Sequence, residues 1–142
     1  MKVVLDTNVI VSSFLSPTGT PAKIIDAWQK QKFDLLISEN ILKEYQKALN
    51  YKHIQTISKM AINDVEEIIS DFRQFSQLVT PKEPINVIKR DPSDNKFLEC
   101  AQEGNAHYII SGDIHLLEIE NFEGIQILTP KAFLTLLQEE SI

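Results

Sequence analysis

Four acidic residues have types and positions that suit a metal site: Asp6, Glu44, Asp94 and Asp113. Asp6 directly follows the apolar run Val3–Leu5, and Asp113 comes soon after Tyr108–Ile110, so both stand just past the end of a predicted buried strand. Functional sites in open parallel sheets form at that edge. Crowded carboxylates repel one another and titrate upward unless a cation neutralises them. If the four converge, they suit a hard divalent metal ion and metal-assisted phosphodiester chemistry.

Three of these acids also have a simpler structural interpretation. Asp6 opens an Asp-Thr-Asn stretch, which is turn-forming chemistry. Glu44 falls on the border of the apolar face of its predicted helix, where a glutamate is usually solvated. Asp113 could cap a short helix over residues 114–117. For these positions taken singly, structural and functional readings both stay open.

Asp94 gives the sharpest signal of the four. Phe97, Leu98 and Ala101 follow it at helical spacing, so Asp94 shares their buried stripe. A carboxylate in that position is costly unless it is paired or bound to metal. The alternative is a first-turn acid favoured by free helix amides, with Asp91 as the N-cap. Metal ligation is the favoured interpretation.

The elements that must position these acids alternate along the chain. Short apolar runs predict five strands, the third of them weak: Lys2–Leu5, Asp34–Ile37, Leu78–Val79, Tyr108–Ile110 and Ile125–Leu128. Alternation of strands and helices predicts a three-layer α/β/α fold with a central parallel sheet. Residues 80–92 contain three prolines and predict a loop. No repeat, low-complexity tract or linker divides the chain, so we expect one domain over residues 1–142.

Capping residues predict where the intervening helices begin and end. Thr20 is the expected N-cap of a helix with Pro21 in its first turn, and Ser38 that of a helix to about Leu49. Asn63 and Glu66 form a plausible capping pair for the next helix. A helix from Pro92 is expected to end at a left-handed Gly104, and Thr129-Pro130 opens the last helix. The loop and cap signals together give four connecting helices and a C-terminal one.

Composition favours an ordinary globular protein of a reducing compartment. The chain is 43% hydrophobic and 24% charged, and Cys100 is its single cysteine, so no internal disulfide can form. No apolar stretch reaches the roughly 18 residues of a membrane span. The N-terminus enters a strand without a signal-peptide pattern. We therefore expect a cytoplasmic protein with no membrane partner.

Charge argues against binding nucleic acid through bulk electrostatics, because the net charge is −6. A local basic strip remains, however, formed by the lysines Lys43, Lys47, Lys52 and Lys59. Lys89, Arg90 and Lys96 form a second small basic group. Solvated helix faces and substrate binding are equally good explanations of the lysine strip.

Four sequence blocks, in the same order, resemble the motifs of the PIN-domain family. They are Val4-Leu5-Asp6-Thr7-Asn8, Lys43-Glu44-Tyr45, the stretch from Asp91-Pro92-Ser93-Asp94 to Ala101, and Ser111-Gly112-Asp113 followed by Leu116-Leu117. The resemblance spans nearly the whole chain and is strongest to the branch that contains toxins of toxin–antitoxin pairs. Ile114 departs from the pattern, since a polar residue is common there. This puts only a local surface contact in question.

The resemblance implies a metal-dependent endoribonuclease that hydrolyses single-stranded or loop RNA. Asp6, Glu44, Asp94 and Asp113 would be its catalytic residues and would hold one or two Mg²⁺ or Mn²⁺ ions, which orient a water for in-line attack on phosphorus. Asn8 and Ser111 would steady the carboxylates, or else serve as turn-forming polar residues. Lys43, Lys47 and Lys52 would contact the RNA. An antitoxin protein and a second copy of the chain would be possible further partners.

Two other functions remain to be distinguished. One is a metal-dependent phosphatase of another doubly wound family. Haloacid-dehalogenase-like enzymes, however, have an Asp-x-Asp motif after the first strand, and here the second aspartate is replaced by Asn8. The other is a non-catalytic PIN-like module that binds a partner in the pocket. A sequence lacking one of the four motif acids would favour that module, and all four are present here.

Overall fold

A mixed sheet forms the centre of the structure, a computed structural model that describes residues 1–140. Within that range six strands lie in the order β3-β2-β1-β4-β6-β5: β1 (Lys2–Leu5), β2 (Asp34–Ile37), β3 (Gln77–Leu78), β4 (Tyr108–Ile110), β5 (Asn121–Phe122) and β6 (Ile125–Leu128). All neighbours are parallel except β5 and β6. The predicted fold class, an α/β fold with helices flanking a mainly parallel sheet, is confirmed.

Helices connect these strands and pack against the sheet and one another. They are α1 (Thr7–Leu15), α2 (Thr20–Gln29), α3 (Glu39–Leu49), α4 (Lys52–Ser58), α5 (Ile62–Phe75), α6 (Asn95–Glu103), α7 (Ile114–Leu117) and α8 (Pro130–Glu140). Helix α6 follows a single 3₁₀ turn, Pro92–Asp94, and packs on β1, β2 and β4. Helix α1 contacts α2 and α3, and α3 contacts α5. Trp28 of α2 stacks on Phe72 of α5 with ring centroids 5.0 Å apart, so helices α1, α2, α3 and α5 pack together.

The central strand β1 is buried because it has paired strands on both sides and helices over its faces. Val3, Val4 and Leu5 are all fully buried, as expected for a strand covered on both faces. Leu5 of β1 pairs with Ile110 of β4, and the amide of Asp6 donates to the carbonyl of Ile110 at 2.9 Å. The two strands therefore end level with each other, and the residues that follow them emerge side by side.

Two helix starts differ from the sequence prediction. Thr20 is the first residue of α2 rather than its cap, and Gly19 is the N-cap. The Asn63–Glu66 capping pair is wrong by register: α5 begins at Ile62, and the Asp64 carboxylate accepts from the amide of Ala61 at 2.8 Å. Acceptors are close together in this stretch, so sequence spacing alone did not select the correct one. Two caps are as predicted: Ser38 accepts from Ile41, and Thr129 accepts from Ala132.

The helix after the proline-rich loop also differs at both ends. Pro92–Asp94 is a 3₁₀ turn, so α6 proper begins at Asn95, and the Asp91 side chain makes no capping hydrogen bond. Gly104 has a φ of −86°, and the left-handed residue is Asn105, with a φ of 56°. Asparagine tolerates that conformation better than most side chains. The helices α1 and α4 and the strand β5 were not predicted, and α1 begins directly after Asp6, where the sequence suggested a turn.

No helix within residues 1–140 combines the length and apolar character that crossing a bilayer would require.

Candidate active site

Three aspartates approach one another at the carboxyl ends of β1 and β4. Asp6, which is 4% exposed, accepts a 2.6 Å hydrogen bond from the hydroxyl of Ser111. The Ser111 oxygen in turn accepts from the amide of Asp113 at 2.9 Å. Asp113 caps α7, because its carboxylate accepts from the amide of His115 at 3.0 Å. One serine thus holds the two aspartates in a fixed relation.

Burial and neighbouring charge both act on Asp6. Burial raises the pKa of the Asp6 carboxyl, against the effect of the hydrogen bonds from Ser111 and the Asn8 amide, and the charges of Asp113 and Glu44 raise it further. Asn8 therefore contacts Asp6 through its backbone, while its own side chain is exposed. Ser111 is the residue whose side chain contacts the carboxylate.

Asp94 completes the group of aspartates from the opposite direction. It ends the 3₁₀ turn before α6, the helix that packs on β1 and β4, and it is 8% exposed. Its carboxyl group lies within hydrogen-bonding reach of the Asp113 carboxyl. Burial, that hydrogen bond, and the charges of Asp91, Asp6 and Asp113 raise the pKa of Asp94 to about 7. The Asp94 carboxyl group is therefore the one in this group whose charge is opposed most strongly by burial and by its acidic neighbours.

Glu44 has two side-chain partners that the sequence did not reveal. Thr7 donates its hydroxyl to one carboxylate oxygen, and Lys96 binds the other with its Nζ at 2.7 Å. The Lys96 and Glu44 side chains are only 18% and 26% exposed, so this ion pair is partly shielded from solvent. The structure brings all four predicted acids to one edge of the sheet, with Glu44 neutralised by a lysine.

Tyr45 fixes the helix that carries Glu44. Its side chain is fully buried, and its hydroxyl donates to the carbonyl of Leu5, the last residue of β1. Burial raises the pKa of the Tyr45 phenol well above its ordinary value, so the hydroxyl stays a neutral donor. This hydrogen bond ties α3 to the strand that ends at Asp6.

Asn95 fixes the loop that precedes Asp94. Its buried side chain accepts from the amides of Val87 and Ile88, at 3.1 and 2.9 Å, and donates to the carbonyls of Ile88 and Pro92, at 2.9 and 3.0 Å. The Asn95 side-chain amide thus makes four hydrogen bonds, all of them with backbone groups. Asn95, which directly follows the predicted ligand Asp94, therefore positions the loop. The only sequence signal for this role is a polar residue at a position expected to be buried.

The lysines predicted to contact RNA lie on the surface. Lys43 and Lys47 are exposed on α3, the helix of Glu44, and Lys52 is exposed at the start of α4. Cys100 is a buried free thiol, and burial raises its pKa to about 12. It is therefore a protonated core residue.

The donor chemistry of the three aspartates fits a hard divalent cation. Mg²⁺ and Mn²⁺ take carboxylate oxygens and water, and a cation here would relieve the repulsion that raises the pKa of Asp94. Among residues 1–140, however, no group of three or more acidic, histidine or cysteine side chains is arranged to hold an ion. Glu44, the fourth acid, is paired with Lys96.

The raised pKa values predict that the metal-free protein loses stability as pH rises from about 4 to 7. Asp94 keeps its proton up to about pH 7 when folded, whereas an unfolded aspartate releases it at the ordinary pKa of 3.8. The folded state therefore binds more protons in this window, and its free energy of unfolding falls with increasing pH. Thermal melts in EDTA across pH 4–8 measure this.

An Asp94→Asn variant is the control, because it cannot titrate at that position. It should flatten the decline with pH in metal-free buffer. An equally steep decline in the variant would assign the pH dependence to other groups.

Comparison with known proteins agrees with this geometry. The family model described as PIN domain matches residues 2–115. An uncharacterized protein of Methanocaldococcus jannaschii is 35% identical, and the match covers 94% of this chain and 90% of that protein. The crystal structure of VapBC2 from Rickettsia felis, bound to a DNA fragment from their promoter, has a chain similar in fold, with a TM-score of 0.59 at 14% identity over 91% of this chain and 98% of that one. PIN domains are generally nucleases that depend on a divalent metal. The four-block motif pattern and the match over residues 2–115 agree: this chain belongs to the PIN-domain family.

Proposed function

We propose that the protein is a Mg²⁺- or Mn²⁺-dependent endoribonuclease that hydrolyses single-stranded or loop RNA. The observation that carries this proposal is the close grouping of Asp6, Asp94 and Asp113, in which the Asp94 pKa is raised to about 7. Buried like charges with perturbed pKa values are typical of functional sites.

The chain's own residues supply the framework for phosphodiester hydrolysis. Asp6, Asp94 and Asp113 would hold one or two metal ions, joined by Glu44. The bound ion would activate water and stabilise the leaving oxygen. Ser111 orients the Asp6 carboxylate, and Thr7 orients Glu44. Lys96 offsets the charge of Glu44 and so lowers the repulsion that an incoming phosphate meets.

The direct test is an assay on labelled single-stranded RNA with Mn²⁺ and with EDTA. We expect internal cleavage in Mn²⁺ only, and little activity on phosphomonoesters. Phosphomonoester hydrolysis without RNA cleavage would instead indicate the phosphatase alternative. Binding without any hydrolysis would indicate a partner-binding module.

Toxin–antitoxin pairing is the biological setting that we propose. The fold similarity to a VapBC2 protein supports an antitoxin partner and a dimeric assembly for this chain. An RNA substrate would place the protein in the cytoplasm. Expression of the chain alone should arrest growth, and an Asp6→Asn variant should not.

Mn²⁺ should raise the melting temperature of the wild-type protein. A ligand that binds only the folded state adds RT ln(1 + [L]/Kd) to stability, which is about 2.7 kcal/mol at a hundred times Kd and corresponds to roughly 5–10 °C for a domain of this size. Calorimetry with millimolar Mn²⁺ measures the shift.

Asp94→Ala should abolish that shift, whereas Asp71→Ala, on the exposed surface of α5, should retain it. A wild-type protein whose melting temperature ignores millimolar Mn²⁺ would contradict the metal site.

The lysine strip should contribute to RNA binding. Each phosphate contact on a single strand adds about 0.7 to the slope of log affinity against log salt. Replacing Lys43 and Lys47 together with alanine should therefore weaken binding and flatten the slope by roughly 1.4. Fluorescence anisotropy in EDTA measures both, since no cleavage occurs there. An unchanged salt slope would show that Lys43 and Lys47 do not contact the RNA backbone.

A further inference from the structure

A basic cavity lies beside the group of aspartates. Its volume is about 400 Å³, within the roughly 300–1,000 Å³ that small-ligand pockets occupy. Its lining combines cationic or hydrogen-bonding side chains, apolar side chains and one carboxylate: Lys89, Arg90, His115, Val87, Ile119 and Glu118. No step of the proposed hydrolysis uses these residues.

Both walls of this cavity run directly into the catalytic group. On one wall, Arg90 immediately precedes Asp91, whose charge acts on Asp94. On the other, the amide of His115 is bonded to the Asp113 carboxylate at 3.0 Å. The cavity is therefore joined to the group of aspartates through His115, and a ligand in it would lie near that group.

The basic wall has a fixed backbone. Asn95 binds the amide and the carbonyl of Ile88, the residue before Lys89, and the carbonyl of Pro92. Lys89 and Arg90 are exposed between these two anchored points. Their backbone is thus preorganised, which reduces the ordering cost of a contact with an anion.

The lining suits a nucleotide better than an isolated anion. Two cations can bind phosphate, and the arginine plane and the imidazole can also stack on a base. Val87 is 48% exposed and Ile119 is half-buried, so both offer an apolar surface to the base. Glu118 can accept from an exocyclic amine or a ribose hydroxyl. Lysine and arginine here also offset the repulsion between RNA and the neighbouring aspartates.

We infer that this cavity binds the nucleotide adjoining the scissile phosphate, with its phosphate on Lys89 and Arg90 and its base against Val87, Ile119 and His115. The inference rests on the proposed ribonuclease function and adds to it a second binding region, separate from the lysine strip of α3. With a nucleotide bound there, the cleavage rate would depend on the RNA on one side of the cleaved bond.

Binding of a labelled single-stranded RNA in EDTA tests the phosphate contacts. Lys89→Ala combined with Arg90→Ala should weaken binding about tenfold or more and lower the salt slope by roughly 1.4. Lys23→Ala combined with Lys32→Ala is the charge-matched control, because both lysines are exposed and Lys32 precedes β2, at the opposite edge of the sheet. The control should lower the slope by much less.

Cleavage of substrates of graded length tests the position of the nucleotide. His115→Ala keeps the backbone bond to Asp113 and removes only the imidazole. It should raise KM about tenfold for a full-length RNA, as expected for loss of one stacking contact. It should have no effect on a substrate that lacks the nucleotides on one side of the scissile phosphate, because the cavity is then empty in both proteins.

The outcomes separate this inference from the function on which it rests. If the wild type cleaves RNA but the Lys89–Arg90 variant keeps its salt slope, the cavity is not a nucleotide site and the ribonuclease function stands. A His115→Ala effect that persists on every truncated substrate also overturns the inference. If the wild type neither binds nor cleaves RNA, both proposals fail. Equal Mn²⁺-induced melting shifts in all variants confirm that they are folded.

Discussion

Replacing Asp6 or Asp113 by asparagine should reduce RNA cleavage at least 10²–10³-fold, about the loss caused by removing one electrostatic contact to a transition state, while the metal-free protein keeps or gains stability. Asparagine preserves the local hydrogen bonds: its carbonyl oxygen can accept from Ser111 at position 6 and can cap α7 at position 113. Only the charge is removed, and with it the repulsion among the aspartates.

Cleavage rates and metal-free melting temperatures should be measured on the same preparations. Asp71→Asn is the matched control, since Asp71 is exposed and lines a cavity together with Asp34, at the opposite end of β2 from the site. It should change neither quantity appreciably. A variant that retains wild-type cleavage would exclude its aspartate from the catalytic group, and a large fall in stability would show that the charge has a structural role.

Asn95→Ala should lower the free energy of unfolding by about 2–4 kcal/mol. The change leaves the amide and carbonyl of Ile88 without their partners, and each unsatisfied buried group costs about 1–3 kcal/mol. Val87 is exposed, so water can replace part of what its amide loses. Urea unfolding measures the loss, and faster hydrogen exchange at the Ile88 amide would locate it in the loop.

Asn63→Ala provides the control for this change. Asn63 is exposed in the first turn of α5, and surface substitutions of this kind stay within about 0.5 kcal/mol. A similarly small effect for Asn95→Ala would mean that the loop is held by other contacts. RNA binding should weaken with Asn95→Ala even where the protein is still folded, because the Lys89–Arg90 backbone is no longer fixed.

The sheet was predictable because its signals are local. Strands β1, β2, β4 and β6 have the predicted bounds. In β1 and β4 the signal is a continuous apolar run, as a strand covered on both faces requires, whereas β6 alternates buried and exposed residues. Helix α1 was missed because Asp-Thr-Asn suits a turn and an N-terminus equally well. Cap assignment failed at Ala61 for a related reason: several neighbouring side chains could accept the same amides.

The acids of the site were also accessible from the sequence, but their partners were not. Lys96 and Glu44 lie 52 positions apart, and Thr7 and Glu44 lie 37 apart. No periodicity connects such residues, because only the packing of α1, α3 and α6 brings them together. The catalytic and RNA-binding roles of these residues remain predictions.

The level ends of β1 and β4 also bear on when activity can first arise. Ser111, the residue that orients Asp6, is synthesised 105 positions after it. Until β4 emerges from the ribosome, the central strand has one open edge, and pairing over such a separation is slow. A nascent or prematurely terminated chain therefore lacks Asp113 and the β4 side of the site. For the ribonuclease that we propose, this topology would delay the hazardous activity until synthesis has passed Asp113.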